Sequence, residues 1–167
     1  MNQFDQAFEE VKKLAEKFQT NFSFYIHADY QEAEARLHFI TPFFEALGWN
    51  FHSPNPYEQE VKVEKSQKQL QSMSQKRADY AFFTAPNFKD VRFFAEAKKP
   101  SVGLKNADHY FQTIRYGWNA NTPIAILTDF EEFHIIDCRY KPDIRHVFNG
   151  QHKSYRYTDY SDKEKFA

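Results

Sequence analysis

The sequence contains little glycine and almost no cysteine. Only 4 of its 167 residues are glycine, and neither G-x-x-x-x-G-K nor G-x-G-x-x-G occurs, so no glycine-rich loop for nucleotide phosphates is expected. Cys138 is the only cysteine, which excludes an internal disulfide or a cysteine-rich zinc site and favours the reducing cytoplasm. No apolar run approaches the roughly 20 residues that a membrane-spanning helix needs, so no membrane association is expected.

The sequence also lacks an excess of charge of either sign. Lysine and arginine number 22 against 23 acidic residues, which gives a net charge of -1. This balance argues against a protein that binds polyanions non-specifically through its overall charge. The hydrophobic fraction of 41% is too high for a disordered chain, and the length fits one domain. We expect a single domain over residues 1–150. Residues 151–167 are polar and are predicted to fray or to begin a connector.

The first third of the chain is predicted to be helical. Apolar spacing indicates an amphipathic helix over residues 4–19. A second helix is predicted to begin near Asp29, with Glu32 at capping-box spacing, a kink or restart at Pro42 and a stop at Gly48. The apolar face predicted for the second helix consists of Leu37, Ile40, Phe44 and Leu47.

The remainder of the chain is predicted to alternate strands with one helix. Residues 50–77 read as a loop with a short strand at 61–63. Asn106 or Asp108 caps a helix that runs to about Asn119, with an apolar stripe of Ala107, Phe111, Ile114 and Trp118. The predicted strands are 78–84, 91–97, 123–128 and 133–139. This order indicates an α/β fold, a mixed β-sheet flanked by helices.

The first two of those four strands form a hairpin that gathers charged residues. A turn centred between Asn87 and Phe88 places Asp79 opposite Glu96. Facing residues of an antiparallel pair share a face, with Cβ atoms about 5 Å apart. Lys98 lies two residues beyond Glu96 and therefore points to the same face. The hairpin is predicted to bring two carboxylates and a lysine together.

Two carboxylates and a lysine suit phosphodiester hydrolysis. Adjacent carboxylates repel each other and favour a hard divalent cation such as Mg²⁺ or Mn²⁺. Such an ion lowers the pKa of a bound water and stabilises charge on a leaving oxygen. Lys98 would orient the water or offset the charge on the phosphate. The alternative interpretation is a solvated cluster of surface charges without a function.

Several motifs point to one family. Asp79 followed by Glu96-Ala97-Lys98 resembles the D…E-x-K signature of the PD-(D/E)xK nucleases, and Gln112 to Tyr116 resembles the Q-x-x-x-Y motif of RecB-like members. Three longer segments, 94–102, 115–118 and 126–133, resemble the N-terminal endonuclease domain of type IIG restriction–modification enzymes, which is similar to the N-terminal part of type I restriction subunits. Upstream, 32–36 and 39–49 resemble the first helix of this family. The resemblance covers residues 29–142.

The resemblance implies a restriction-endonuclease-like fold and a Mg²⁺-dependent (or Mn²⁺-dependent) DNA endonuclease. The implied site residues are the metal-binding acids Asp79, Glu96 and Glu32, the catalytic Lys98, and Gln112 and Tyr116, which support the lysine or contact DNA. Glu34 is the alternative to Glu32, whose other interpretation is a helix cap. Ala78 stands where the family has proline.

The implied partner is double-stranded DNA. Basic residues that would contact its phosphates are Arg77, Lys89, Arg92, Lys99, Lys105 and Arg115. The family also implies methyltransferase and target-recognition domains in a full-length protein, and a dimer for double-strand cleavage. Two alternatives remain open: a repair or recombination nuclease of the same fold, and a catalytically silent DNA-binding module.

Overall fold

A six-stranded mixed sheet forms the centre of the computed structural model, which describes residues 1–63 and 78–167. Its strands are β1 (Val61–Val63), β2 (Tyr80–Phe83), β3 (Val91–Ala97), β4 (Ile124–Thr128), β5 (Glu132–Asp137) and β6 (Gln151–Arg156). They lie in the order β1 to β6, and only β3 and β4 are parallel neighbours. The mixed sheet and the short strand at 61–63 are confirmed. Arg77 and the second half of the predicted loop lie outside the described residues.

Helices cover both faces of the sheet. They are α1 (Gln3–Thr20), α2 (Phe22–Tyr25), α3 (Glu32–Ala35), α4 (Thr41–Ala46), α5 (Ala107–Asn119) and α6 (Lys163–Phe166). Strand β4 shows the layering, because Ile126 packs with the aromatic cluster under α1 and α4, whereas Leu127 packs with Ile114 of α5 on the other face. Across the described ranges, no helix combines the length and apolar character needed to cross a membrane.

The segment that contains α3 and α4 begins later than predicted. Its first helical residue is Glu32, and the backbone N–H of Gln31 donates to Glu34 Oε2 at 2.9 Å. The expected capping box of Asp29 and Glu32 is therefore wrong, because Glu34 closes the helix end. Glu32 is left free of that role.

The kink or restart predicted at Pro42 is not seen as a break, because the helical backbone runs through it after a π-helical turn over Arg36–Ile40. Pro42 has no N–H to continue the α-helical ladder, and the Thr41 N–H donates to the carbonyl of Arg36, five residues earlier. The extra residue in this turn rotates the buried face. Leu37 and Leu47 are consequently 71% and 42% exposed, so their predicted place in the core is wrong.

Helix α5 begins as predicted, with Asn106 Oδ1 accepting the N–H groups of Asp108 and His109. Ala107, Phe111 and Ile114 of the predicted stripe pack against the core, but Trp118 is 40% exposed and its predicted place in the stripe is wrong. Gly117 is buried instead. It approaches Cys138 so closely that a Cβ at position 117 would lie 2.5 Å from the Cβ and Sγ of Cys138. Cys138 is confirmed as a packed small residue, and burial raises its pKa to about 12. The residues that α5 buries are Tyr110, Thr113, Ile114 and Gly117.

The tail beyond residue 150 was predicted to fray, and this expectation is wrong. Strand β6 pairs with β5, which extends the sheet. Tyr157 and Tyr160 are buried in the aromatic core, and the Tyr160 hydroxyl donates to the carbonyl of Phe130 at 2.9 Å. Alternating aromatic and polar residues made the segment look solvated. The division of the chain at residue 150 stays a prediction.

Candidate active site

The hairpin of β2 and β3 keeps the predicted register where it matters for the site. Tyr80 lies opposite Ala95, and continuation of this register by one residue places Asp79 opposite Glu96. The register shifts between Phe82 and Phe83, near the turn and away from the charged end. Because Ala95 faces the aromatic core, alternation along β3 directs Glu96 towards α5.

The Asp79 carboxylate is held on both oxygens. Its Oδ2 accepts the backbone N–H of Ala97 at 2.8 Å, and its Oδ1 accepts from Arg36 Nη1 at 3.3 Å. Arg36 Nη2 also donates to the backbone carbonyl of Asp79 at 3.4 Å. These contacts fix the direction in which the carboxylate points, next to Glu96.

Glu96 is an acid in an environment that disfavours its charge. It is 7% exposed, and burial, followed by the neighbouring Asp79, raises its pKa to about 9. Lys98 Nζ lies 3.9 Å from Glu96 Oε1 and opposes this shift. Glu96 Oε2 is buried and has no hydrogen-bond partner among the described residues. A buried carboxylate oxygen beside a second carboxylate is a donor set that suits a hard cation.

Glu32 belongs to the same cluster of charges, on the helix side. Burial and the charge of Asp79 raise its pKa, while Lys98 and Arg36 lower it. Within residues 1–63 and 78–167, no three acidic, histidine or cysteine side chains already converge as ligands of one metal ion. Mg²⁺ commonly takes one or two carboxylates and completes its shell with water and phosphate oxygens, so Asp79 and Glu96 suffice for it.

Helix α5 covers the acids with a polar face. Burial, then the charges of Glu96 and Asp79, raise the pKa of Tyr116. Its ring centre lies 6.2 Å from that of Phe94, which shares a face of β3 with Glu96. Gln112 lies one turn earlier on the same face and is a hydrogen-bond partner that lowers this pKa. The roles of Gln112 and Tyr116 in chemistry remain predictions, but the structure places Tyr116 near both acids.

Sequence reasoning missed His109, which lies on the same face of α5 as Gln112 and Tyr116. Burial and then the charge of Lys98 lower the pKa of its imidazole. Its Nδ1 is buried and has no hydrogen-bond partner within the described segments. The spacing 109, 112, 116 follows one face of a helix and is the signal that could have identified this residue.

The basic residues proposed as phosphate contacts are spread over the molecule. Arg92 donates from Nε to Thr84 Oγ1 at 2.7 Å, near the turn of the hairpin and about 13 Å along the strand from Glu96. Lys99 donates to the carbonyl of Ala28 at 3.3 Å, close to the charged end. Arg115 is exposed beside Tyr116. These positions do not form one patch around the acids.

Comparison with known proteins gives one informative relative. The chain is 33% identical over 168 residues to the type II restriction enzyme and methyltransferase RM.Eco57I of Escherichia coli. The match includes 98% of this chain but only 16% of the relative. No protein-family profile matches the chain, and no solved structure matches it.

Proposed function

We propose that this chain is the endonuclease domain of a restriction–modification system, with a restriction-endonuclease-like core that hydrolyses DNA phosphodiester bonds. The observation that carries the proposal is the meeting of Asp79, Glu96 and Lys98 at one end of the β2–β3 hairpin. The similarity to a restriction enzyme and methyltransferase over nearly the whole chain supports it.

The proposed cofactor is Mg²⁺, or Mn²⁺ in its place. Asp79 and Glu96 would hold the ion, and Glu32 is proposed as the third acid of the site. A bound divalent ion supplies a water of lowered pKa and a positive charge beside the scissile phosphate. Glu96 Oε2, which has no hydrogen-bond partner among the residues that the structure describes, and the adjacent Asp79 would supply the oxygen ligands.

The remaining residues act on the phosphate and the attacking water. The Lys98 ammonium carries three donors, and its Nζ, next to Glu96, would offset charge that builds on the phosphate oxygens. Gln112 and Tyr116 on α5 would orient Lys98 or contact the DNA backbone. Burial of the carboxyl groups strengthens each of these electrostatic contacts, since water screens them less.

The proposed partner is double-stranded DNA. Because the acids of the site repel its phosphates, binding of DNA at the site would depend on a bridging cation. Since the chain spans 16% of its relative's length, we propose that methyltransferase and target-recognition domains accompany it in a full-length protein. One site cuts one strand, so double-strand cleavage would use two copies on the DNA.

Nicking of supercoiled plasmid tests the proposal. The chain is expected to nick plasmid when Mg²⁺ or Mn²⁺ is present, and Asp79→Ala or Lys98→Ala should lower the rate by about 10²-fold or more. Nicking that needs the divalent ion but persists in both variants would refute the assignment of the site.

Calorimetry with Mn²⁺ separates this function from a catalytically silent DNA-binding module. A nuclease should bind Mn²⁺, and Glu96→Ala should abolish that binding. A silent module should show no Mn²⁺ binding that depends on Glu96. The complete acid–acid–lysine set favours the nuclease.

A further inference from the structure

Arg36 is a charged residue of the site that the proposed reaction does not use. It lies in the π-helical turn, and its side chain is 21% exposed. The guanidinium carbon lies 5.0 Å from the centre of the Tyr80 ring. The Tyr80 hydroxyl is itself fixed by a 2.8 Å hydrogen bond with Thr41 Oγ1.

The contacts of Arg36 to Asp79 are more specific than those of an ordinary ion pair. One nitrogen reaches a carboxylate oxygen and another reaches the backbone carbonyl of the same residue. The planar guanidinium thus fixes both the side chain and the backbone at the entry to β2. The other carboxylate oxygen is held by Ala97 of the neighbouring strand.

We propose that Arg36 is a positioning residue for the divalent cation. It holds Asp79 in the orientation in which its carboxylate and that of Glu96 bind one ion without rearrangement. The Arg36 N–H bonds the carbonyl of Glu32, one helical turn earlier, so both side chains leave the same side of the helix. This inference rests on the proposed function.

Positioning and simple charge predict opposite effects when the guanidinium is removed. Loss of a positive charge 3.3 Å from a ligand oxygen should by itself tighten cation binding, because a competing cation is gone. Loss of a positioning contact should instead weaken binding, typically 10- to 100-fold, on the scale of other groups that orient metal ligands.

The test is calorimetric titration of Mn²⁺ into the chain and four variants, one of which, Glu96→Ala, tests the metal site itself. Arg36→Met removes both the charge and the two guanidinium donors that hold Asp79. Arg36→Lys keeps the charge but cannot make both hydrogen bonds with a planar group. Arg145→Met is the matched control, because Arg145 pairs with Asp143 at 2.9 Å on the exposed surface. Circular dichroism and the melting temperature show that each variant folds.

The proposal predicts that both Arg36 variants bind Mn²⁺ about 10- to 100-fold more weakly, with Arg145→Met unchanged. Equal or tighter binding by Arg36→Met overturns the positioning role and leaves the metal site intact. Binding that Glu96→Ala does not reduce overturns the proposed function together with this inference. If Arg36→Met fails to fold, the result for Arg36→Lys decides: unchanged affinity contradicts the proposal.

Discussion

At the scale of residues, the site consists of acids held closer together than their charges favour. Asp79 has two hydrogen-bond donors on its oxygens, whereas Glu96 Oε2 has none among the described residues. The two carboxyls therefore differ in environment, and Glu96 is the one that favours a proton. A divalent cation would take the place of that proton.

The stability of the metal-free protein should consequently depend on Glu96. Its folded-state pKa lies above its unfolded value, so the folded protein binds more protons and loses stability as pH rises from about 5 to about 9. Glu96→Gln removes this loss. In scanning calorimetry without divalent ions, the melting temperature of the variant should rise relative to that of the wild type as pH increases. If the two melting temperatures change with pH in parallel, Glu96 is not the group whose pKa is raised.

Glu32 and Glu34 form a matched pair two residues apart. Glu32→Ala should reduce nicking and Mn²⁺ affinity with little change in stability, because its carboxylate faces Asp79. Glu34→Ala should cost about 1 kcal/mol in urea unfolding through the lost helix cap and leave nicking intact. The reverse pattern would show that Glu34 is the helix-borne acid.

At the scale of elements, the sequence pattern predicted the features that short-range interactions determine, namely strand bounds, helix caps and hairpin register. The bounds of β3, the cap at Asn106 and the pairing of Asp79 with Glu96 follow from alternation, capping and turn position. The π-helical turn did not follow, although Pro42 marked its place. Its extra residue changes which side chains face the core, and this is settled by packing rather than by spacing.

Helix α5 shows the same limit at its last turn. Its apolar stripe predicted a face through Trp118, but Trp118 is 40% exposed and Gly117 is buried against Cys138. The missing Cβ of Gly117 permits this close approach, which hydrophobic periodicity does not register.

Gly117→Ala should therefore destabilise the protein, although alanine normally stabilises a helix interior by up to about 1 kcal/mol relative to glycine. The new Cβ would lie 2.5 Å from the side chain of Cys138, and such overpacking costs about 1–3 kcal/mol. Urea unfolding measures the effect. Cys138→Gly in the same chain should recover part of the loss, and a Gly117→Ala variant as stable as the wild type would contradict the close contact.

At the scale of the whole molecule, an aromatic core joins the two ends of the chain. Phe18 of α1 packs on Phe130 and Tyr157 with ring centres 5.4 and 5.0 Å apart. Lys163 near the C-terminus pairs with Asp5 near the N-terminus at 2.6 Å. The abundance of phenylalanine in the sequence thus builds the core against which the β2–β3 hairpin is held.

A chain that ends at residue 150 should fail to fold stably. It would lack β6 and the buried Tyr157 and Tyr160. Burial of each of these two large side chains contributes roughly 1.5–3 kcal/mol. That sum is a large part of the roughly 5–15 kcal/mol that stabilises a domain. Limited proteolysis measures the outcome. A protease-resistant fragment 1–150 would show that the last 17 residues are dispensable.

The rate of plasmid nicking under saturating Mn²⁺ decides whether the charged end of the hairpin cleaves DNA. Lys98→Ala is compared with Lys13→Ala, which removes the same charge from an exposed position on α1. We expect Lys98→Ala to lower the rate by about 10²- to 10³-fold, while Lys13→Ala keeps the wild-type rate. Equal nicking by the two variants would show that Lys98 has no part in cleavage.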